Sequence, residues 1–211
     1  VAKLEQDIER RCELILDDVE ARGTDKVEFV NDIAHQLPMH VIADIVGIPE
    51  DDRPWVFEQT DVLLHSFDPD SNLDEEVSMT AQLALFTYAQ ELSEEKRKHP
   101  TDDIWTQLTQ AEIIEDDGTT QRLSGHQLDA FFMILSVAGS ETTRNALSQG
   151  IEVMSELPDE FRSLRREPDL VSTAADEVLR WSSPVLMFTR TATRDVEVAG
   201  VEIRKGERAV M

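Results

Sequence analysis

Residues 128–144 read LDAFFMILSVAGSETTR (Leu128–Arg144), and the fold turns on how this stretch is placed. Ser124 offers an N-cap, and no proline interrupts the chain from there to Leu157, more than 30 residues. At a rise of ~1.5 Å per residue, such a helix is long enough to traverse a whole domain. Its first half, LDAFFMILSVAG, is apolar on nearly every side, which predicts burial all round. Glu141, Thr142 and Thr143 then stand in the middle of that rod. A polar group taken out of water costs ~1–7 kcal/mol without a partner, so a specific use is expected there.

Local chemistry suggests one. Thr142 can return its hydroxyl to the carbonyl of Ala138 one turn earlier, which bends and loosens a helix, and Gly139 leaves its side bare. An opened helix floored by Ala138 and Gly139 and carrying Glu141 and Thr142 makes a groove for a flat ligand beside a proton relay. The ordinary alternative pairs Glu141 with Arg144 three residues on and leaves both threonines merely tolerated.

Outward from the rod, the pattern stays helical. Leu4, Ile8, Cys12, Ile15 and Val19 recur at helical spacing up to Arg22, and Gly23 is a natural stop. KVEFV reads as a short strand, and DIAHQLPMHVIADIVGI as a helix closed by Gly47 and Pro49. PEDDRPWVFEQTDVLLHSF predicts a helix with an acidic first turn, DPDSNLDEE a loop, and about Leu73 to Lys98 a long helix. HPTDDIWTQLTQ starts a short helix at a Thr cap, and IIEDDGTTQRL is a hairpin around Asp-Asp-Gly. PDEFRSLRREP and DLVSTAADEVLRWSSP are two further helices, each ended by proline. From Val185 onward, period-two patterning with Gly turns predicts several strands.

Charge and composition exclude several functions. The 211 residues carry 44 acidic against 20 basic side chains, a net charge of −24, with a pI of about 4.4. Such a balance argues against a nucleic-acid partner. The acids are scattered through helices and turns, which is the pattern of a solvated surface. A single cysteine, Cys12, allows neither a disulfide framework nor a cysteine metal site and suits a reducing cytoplasm. The longest apolar run, FFMILSVAG, is far short of the ~18 residues of a membrane span. The five histidines lack paired-ligand spacing. DPDSNLDEE imitates the start of a calcium loop with Asp68, Asp70 and Asn72, but Leu73 replaces its glycine and Met79 its terminal glutamate. Trp55, Trp105 and Trp181 are assigned to core packing. The chain opens at Val1 without an initiating methionine and stops at Met211 within an apolar phrase, as an internal piece of something longer would.

In DEVLRWSSPV, Glu177 and Arg180 stand three apart on one helix face, where a bidentate pair could be buried and hydrogen-bonded onward. On a solvated helix the same spacing contributes only about 0–1 kcal/mol. The order of motifs carries more: an apolar helix with an acid-Thr step, then E-x-x-R, a proline, apolar residues, Arg190, and DVEVAGVEIRKGE as strand-turn-strand. In this combination, which also includes PTDDIWTQL, the sequence resembles the soluble bacterial cytochrome P-450 haem monooxygenases along essentially its whole length. AGSETTRNA is most similar to hydroxylases of sterol side chains and branched lipids.

The resemblance implies a mostly α fold with small β-sheets, a partial cytochrome P-450 fold built around a long central helix. Residues 1–211 would form a single incomplete domain, the middle portion of the family's chain. Haem b is the implied cofactor. Thr142 would hydrogen-bond the bound dioxygen, and Glu141 would bring protons from solvent. Ala138 and Gly139 would face the distal side of the haem, and Arg190 would pair with a propionate. Glu177 and Arg180 would be structural. Ile134, Val137, Val185 and Leu186 would line an apolar substrate pocket, although ordinary core packing accounts for these residue types equally well. The implied reaction is hydroxylation of an unactivated C–H bond of a steroid side chain or lipid. The implied partners are a hydrophobic small molecule and a ferredoxin or similar electron donor.

The match has a gap. The family takes its thiolate ligand from a cysteine in a Gly-rich, Phe-containing loop, and no such loop occurs in these residues. Cys12 lies in a charged helix without that context, so the chain as it stands is expected to be inactive. The alternative is a haem-free acidic helical module that kept the scaffold and acts by protein interaction.

Overall fold

The computed structural model describes residues 2–23, 25–66, 70–114 and 118–211, with the side chains of residues 2 and 3 left aside. It is mostly helical with small antiparallel sheets, and contacts gather into two compact units, Val1–Ser148 and Gln149–Met211. The first unit holds α1 (Ala2–Ala21), α2 (Gln36–Val46), α3 (Arg53–His65), α4 (Glu75–Lys98), α5 (Ile104–Gln110) and the hairpin of β1 (Glu112–Ile114) with β2 (Thr120–Arg122). The predicted hairpin turn at 115–117 and the Asp68 of the rejected calcium loop lie outside the described residues. The rod is α6 (Gly125–Glu156), 32 residues long, whose last turns belong to the second unit.

Most predicted helices form within a residue or two of their expected ends, but three local expectations fail. KVEFV is not a strand. The Glu28 carboxylate accepts from the amides of Val30 and Asn31 at 3.3 and 2.6 Å, and Asp32 accepts from the Glu28 amide at 3.0 Å. Side chains thus take the donors that a strand would offer to a neighbour, and a π-helical turn, Val30–Ala34, follows. The acids before α3 do not enter its first turn; Asp52 instead accepts from the Tyr88 hydroxyl at 2.8 Å. The cap of α5 is Asp103, whose Oδ1 accepts from the Thr106 amide at 2.7 Å, not a threonine.

The core of the first unit joins α2, α3, α4, α5 and the first turns of α6. Ile42, Val46, Val56, Leu63, Leu85, Leu92, Leu128 and Phe132 enclose a fully buried Trp105. Its indole donates to Ser93 Oγ at 3.0 Å, and that hydroxyl donates to the Ala89 carbonyl at 2.7 Å, so the buried N–H has a partner. Trp55 and Trp181 are exposed instead of packed in the core.

Two ionic knots fix the helix ends. Arg11 on α1 holds Asp44 on α2 through two bonds of 2.7 and 2.8 Å, and Arg53 at the start of α3 reaches the same carboxylate at 2.8 Å. Burial alone would raise the Asp44 carboxyl, but the two guanidiniums hold it below its ordinary range. At the far end of α4, Lys96 pairs with Asp103 at 2.6 Å, both nearly buried. Gly47 closes α2 at φ +72°, and a Cβ there would stand 2.5 Å from Asp103 Oδ2 and 2.6 Å from Lys96 Nζ. Only glycine fits.

The second unit contains α7 (Pro158–Arg166), a 3₁₀ turn at Pro168–Leu170, α8 (Val171–Ser182) and four short strands: β3 (Thr189–Thr191), β4 (Val196–Val198), β5 (Val201–Ile203) and β6 (Arg208–Val210). β3 pairs with β6 and β4 with β5, both antiparallel, as the period-two tail predicts. Gly150 of α6 permits close packing on α8, since a Cβ there would lie 3.0 Å from Val178 Cγ1. Among the described residues no helix is long and apolar enough to cross a membrane.

Gly47→Ala is expected to destabilise the protein by about 2–4 kcal/mol, because it adds left-handed strain to a displaced buried ion pair. Thermal unfolding measures this. Burial would raise the Asp103 carboxyl, but Lys96, the Thr101 hydroxyl and the Thr106 amide more than offset it and hold it low. Its contribution to stability is therefore complete above its unfolded pKa of ~3.9 and is lost as pH falls through the lowered folded value. Acidification also relieves the repulsion of a net −24 chain, so the measurement is a difference: urea midpoints of Asp103→Asn and wild type should converge below about pH 4.

Candidate active site

The rod begins with a reciprocal cap: Ser124 Oγ accepts from the Gln127 amide at 3.3 Å, and Gln127 Oε1 accepts from the Ser124 amide at 2.9 Å. From there α6 shows two unlike faces. Leu128, Asp129, Phe132, Met133, Ser136 and Ser140 are buried. Phe131, Ile134 and Ala138 are exposed, Ile134 at 63 %. The expected burial all round is therefore incorrect. An apolar stripe at i, i+3 and i+7 stays open to solvent, and the next positions in that series are Glu141 and Thr142.

Gly139 does not floor this stripe. A Cβ at that position would stand 2.7 Å from Ile42 Cδ1, so its missing side chain admits α2, and the space is filled by Ile42. Thr142 Oγ1 does donate to the Ala138 carbonyl at 2.7 Å, as anticipated, but α6 runs through 125–156 without a break, so the rod is not opened. Glu141 keeps 44 % of its side chain exposed, and its Oε1 lies 4.0 Å from Arg144 Nη2, beyond hydrogen-bond range. On α6 the most enclosed polar residue is Ser140, to which no role is assigned from the sequence. Its hydroxyl is 2.5 Å from the Ser136 carbonyl oxygen and 2.8 Å from Met39 Sδ. Asp129, also buried, accepts from Gln90 Nε2 at 3.0 Å. Both share the core-facing side of α6 with Phe132 and Ser136, a spacing that would have found them.

In the second unit, Glu177 and Arg180 form a bidentate pair at 2.6 and 2.5 Å. The pair is not buried: both side chains are at least 60 % exposed, and no further side chain extends it among the described residues. The hydrogen-bonded guanidinium lowers the Glu177 carboxyl, and the carboxylate raises Arg180. Arg190 lies in β3 opposite Ala209, with its guanidinium 5.7 Å from the Phe188 ring centroid and Nη1 donating to the Thr189 carbonyl at 3.2 Å. Among the described residues it has no ion pair with an acid.

The four expected substrate-lining residues divide. Val137 packs against the core of the first unit, while Ile134 stands open on its stripe. Val185 and Leu186 begin an exposed apolar run that continues through Met187 and Phe188, with Leu186 at 91 %. Separately, the second unit has a groove of about 440 Å³ between α6, α7 and α8, lined by Val153, Met154, Leu157, Leu164, Val178 and Trp181.

Haem can be tested against these residues. A flat apolar macrocycle suits the open stripe, where Ala138 presents only a methyl group beside the Thr142 hydroxyl. An anionic propionate suits the guanidinium of Arg190, which has no acidic partner among the described residues. Cys12 does not suit a thiolate ligand, because burial and the nearby Glu9 push its thiol up and so disfavour the thiolate. Among the described residues no group of three or more His, Cys, Asp or Glu side chains could hold a metal ion.

Comparison with known proteins gives the family. The family model for cytochrome P450 matches residues 56–211. A steroid C26-monooxygenase of Mycobacterium tuberculosis is 38% identical over 213 residues, covering 100% of this chain and 46% of that protein. A methyl-branched lipid omega-hydroxylase of the same organism is 34% identical over 210 residues, covering 99% and 48%. A solved Mycobacterium marinum cytochrome P450, in complex with pseudoionone, superimposes with a TM-score of 0.86 at 35% identity, covering 100% of this chain and 50% of that one. The chain spans about half the length of these relatives.

The half-open position of Glu141 sets an expectation for stability. A 4.0 Å contact this exposed contributes less than about 0.5 kcal/mol, so Glu141→Gln should leave Tm within about 2 °C of wild type by calorimetry. A larger fall would mean that the carboxylate serves the fold.

Proposed function

The chain belongs to the cytochrome P450 family, and from that premise we propose that it is the middle part of a haem-thiolate monooxygenase that hydroxylates an unactivated C–H bond of a hydrophobic substrate. A steroid side chain or branched lipid is the substrate class that the similar relatives suggest. The observation that carries the proposal is the stripe on α6, in which apolar Phe131, Ile134 and Ala138 run directly into Glu141 and Thr142. An apolar wall ending in an acid and a hydroxyl suits chemistry that needs a dry substrate and a small supply of protons.

Haem held through a thiolate supplies the reductive activation of dioxygen. The residues of this chain would do the rest. Ala138 offers a flat apolar contact, and Arg190 would neutralise a propionate. Ile134 in the first unit, and Val185 and Leu186 in the second, would each offer a hydrophobic substrate an apolar contact. Glu141, open to solvent, would take up a proton and pass it toward the Thr142 Oγ1. That hydroxyl now donates to the Ala138 carbonyl; turning it into the open face costs one ordinary hydrogen bond, about 0.5–1.5 kcal/mol, so the turn is reversible. Gly139 and Val137 act on the scaffold side, packing α6 onto its neighbours. Glu177 and Arg180 are read as structural. The two compact units are read as parts of one domain, the thiolate as lying outside these residues, the electron donor as a ferredoxin or similar protein, and the setting as the cytoplasm.

Two measurements on the haem-loaded full-length enzyme test this. The reduced protein with carbon monoxide should give the difference spectrum of a thiolate-ligated haem. Thr142→Ala should leave that spectrum and reductant consumption in place but lower product per reducing equivalent by about tenfold or more. Unchanged coupling would remove the proposed role.

A further inference from the structure

Arg144 has no part in the proposed function, yet among the described residues it is the one basic side chain within 4.0 Å of the Glu141 carboxylate. Its side chain is only 22 % exposed, and its buried Nε has no hydrogen-bond partner among the described residues. An N–H left unpaired out of water is costly, so a buried arginine is normally satisfied on every donor. Here the head reaches toward Glu141, with Nη2 4.0 Å from Oε1, and stops short of a hydrogen bond. Position matters as well as charge. Glu141 continues the exposed stripe of Ile134 and Ala138, whereas Arg144 stands three residues further on and seven after Val137, on the side turned toward the core.

From this geometry we infer that Arg144 is the positioning residue for Glu141: a guanidinium anchored by burial that holds the carboxylate loosely at the edge of the open stripe. The inference rests on the proton-relay reading of Glu141 and Thr142. A tight bidentate pair, such as Glu177 with Arg180 on α8, would lock the acid against its partner. A contact of 4.0 Å biases the acid without locking it, so the carboxylate can still turn to Thr142. The spare donor capacity on Arg144 lets the guanidinium follow the carboxylate between these two places.

The test uses three variants of the haem-loaded enzyme and two kinds of readout. Arg144→Gln should lower product per reducing equivalent by up to about two-fold, the factor matching a partly exposed contact of no more than ~0.5 kcal/mol, and Arg144→Lys should recover most of it. In Glu141→Gln, nitrogen-15 spectra should show faster rotation and solvent exchange of the Arg144 guanidinium, a readout independent of turnover. If Arg144→Gln leaves coupling untouched while Thr142→Ala abolishes it, the positioning role is wrong and the relay reading stands. If neither variant changes coupling, the relay reading fails and takes this inference with it. If Arg144→Gln does not fold, the Glu141→Gln spectra decide alone, and an unchanged Arg144 signal overturns the inference.

Discussion

The close approach of α6 to α2 at Gly139 fixes how the rod is turned about its own axis. A single added carbon would lie 2.7 Å from Ile42 Cδ1, so no other residue permits this contact without a shift. Once that side is committed, the other positions follow at about 100° per residue. Phe132 and Ser136 enter the core, Ser140 meets Met39, and Phe131, Ile134, Ala138 and Glu141 are left along the open side. The placement of acid and hydroxyl at the end of an apolar stripe is thus a consequence of helix packing.

The surroundings of the rod are held by charge as much as by apolar contact. The first unit carries 32 acidic side chains against 11 basic ones, a density that would oppose compaction if the acids were unpaired. Several basic residues are spent where helices meet: Arg11 and Arg53 on Asp44, and Lys96 on Asp103. These pairs are well shielded, and each has further hydrogen bonds, as buried charges require. The second unit is nearly balanced, with 12 acidic against 9 basic residues, and its Glu177–Arg180 pair lies at the surface where water and salt screen it.

The proposed function draws on one open and one closed side of the same helix. The closed side supplies rigidity: continuous helix, buried Phe132 and Leu128, and a Ser140 hydroxyl satisfied by the Ser136 carbonyl. The open side supplies apolar contact that ends in a carboxylate with access to water. A buried acid in the same place would be cut off from its proton source. Partial exposure suits the proposed relay better than full burial.

Much of the architecture was legible in the sequence because it is local. The long proline-free run, the Ser124 cap, the Gly47 stop, the alternation after Val185 and the return of the Thr142 hydroxyl to Ala138 all depend on neighbours within a few residues. The order of the AGSETTR, E-x-x-R and strand motifs carried the family. Rotation of α6, the partner of Gly139, the core position of Val137, the exposure of Trp181 and the surface location of Glu177 and Arg180 depend on residues far away in sequence. An apolar run reads the same whether each side faces a neighbour or solvent. Hydrophobic periodicity gives the existence of a face, and only packing against α2, α4 and α5 decides which face is covered.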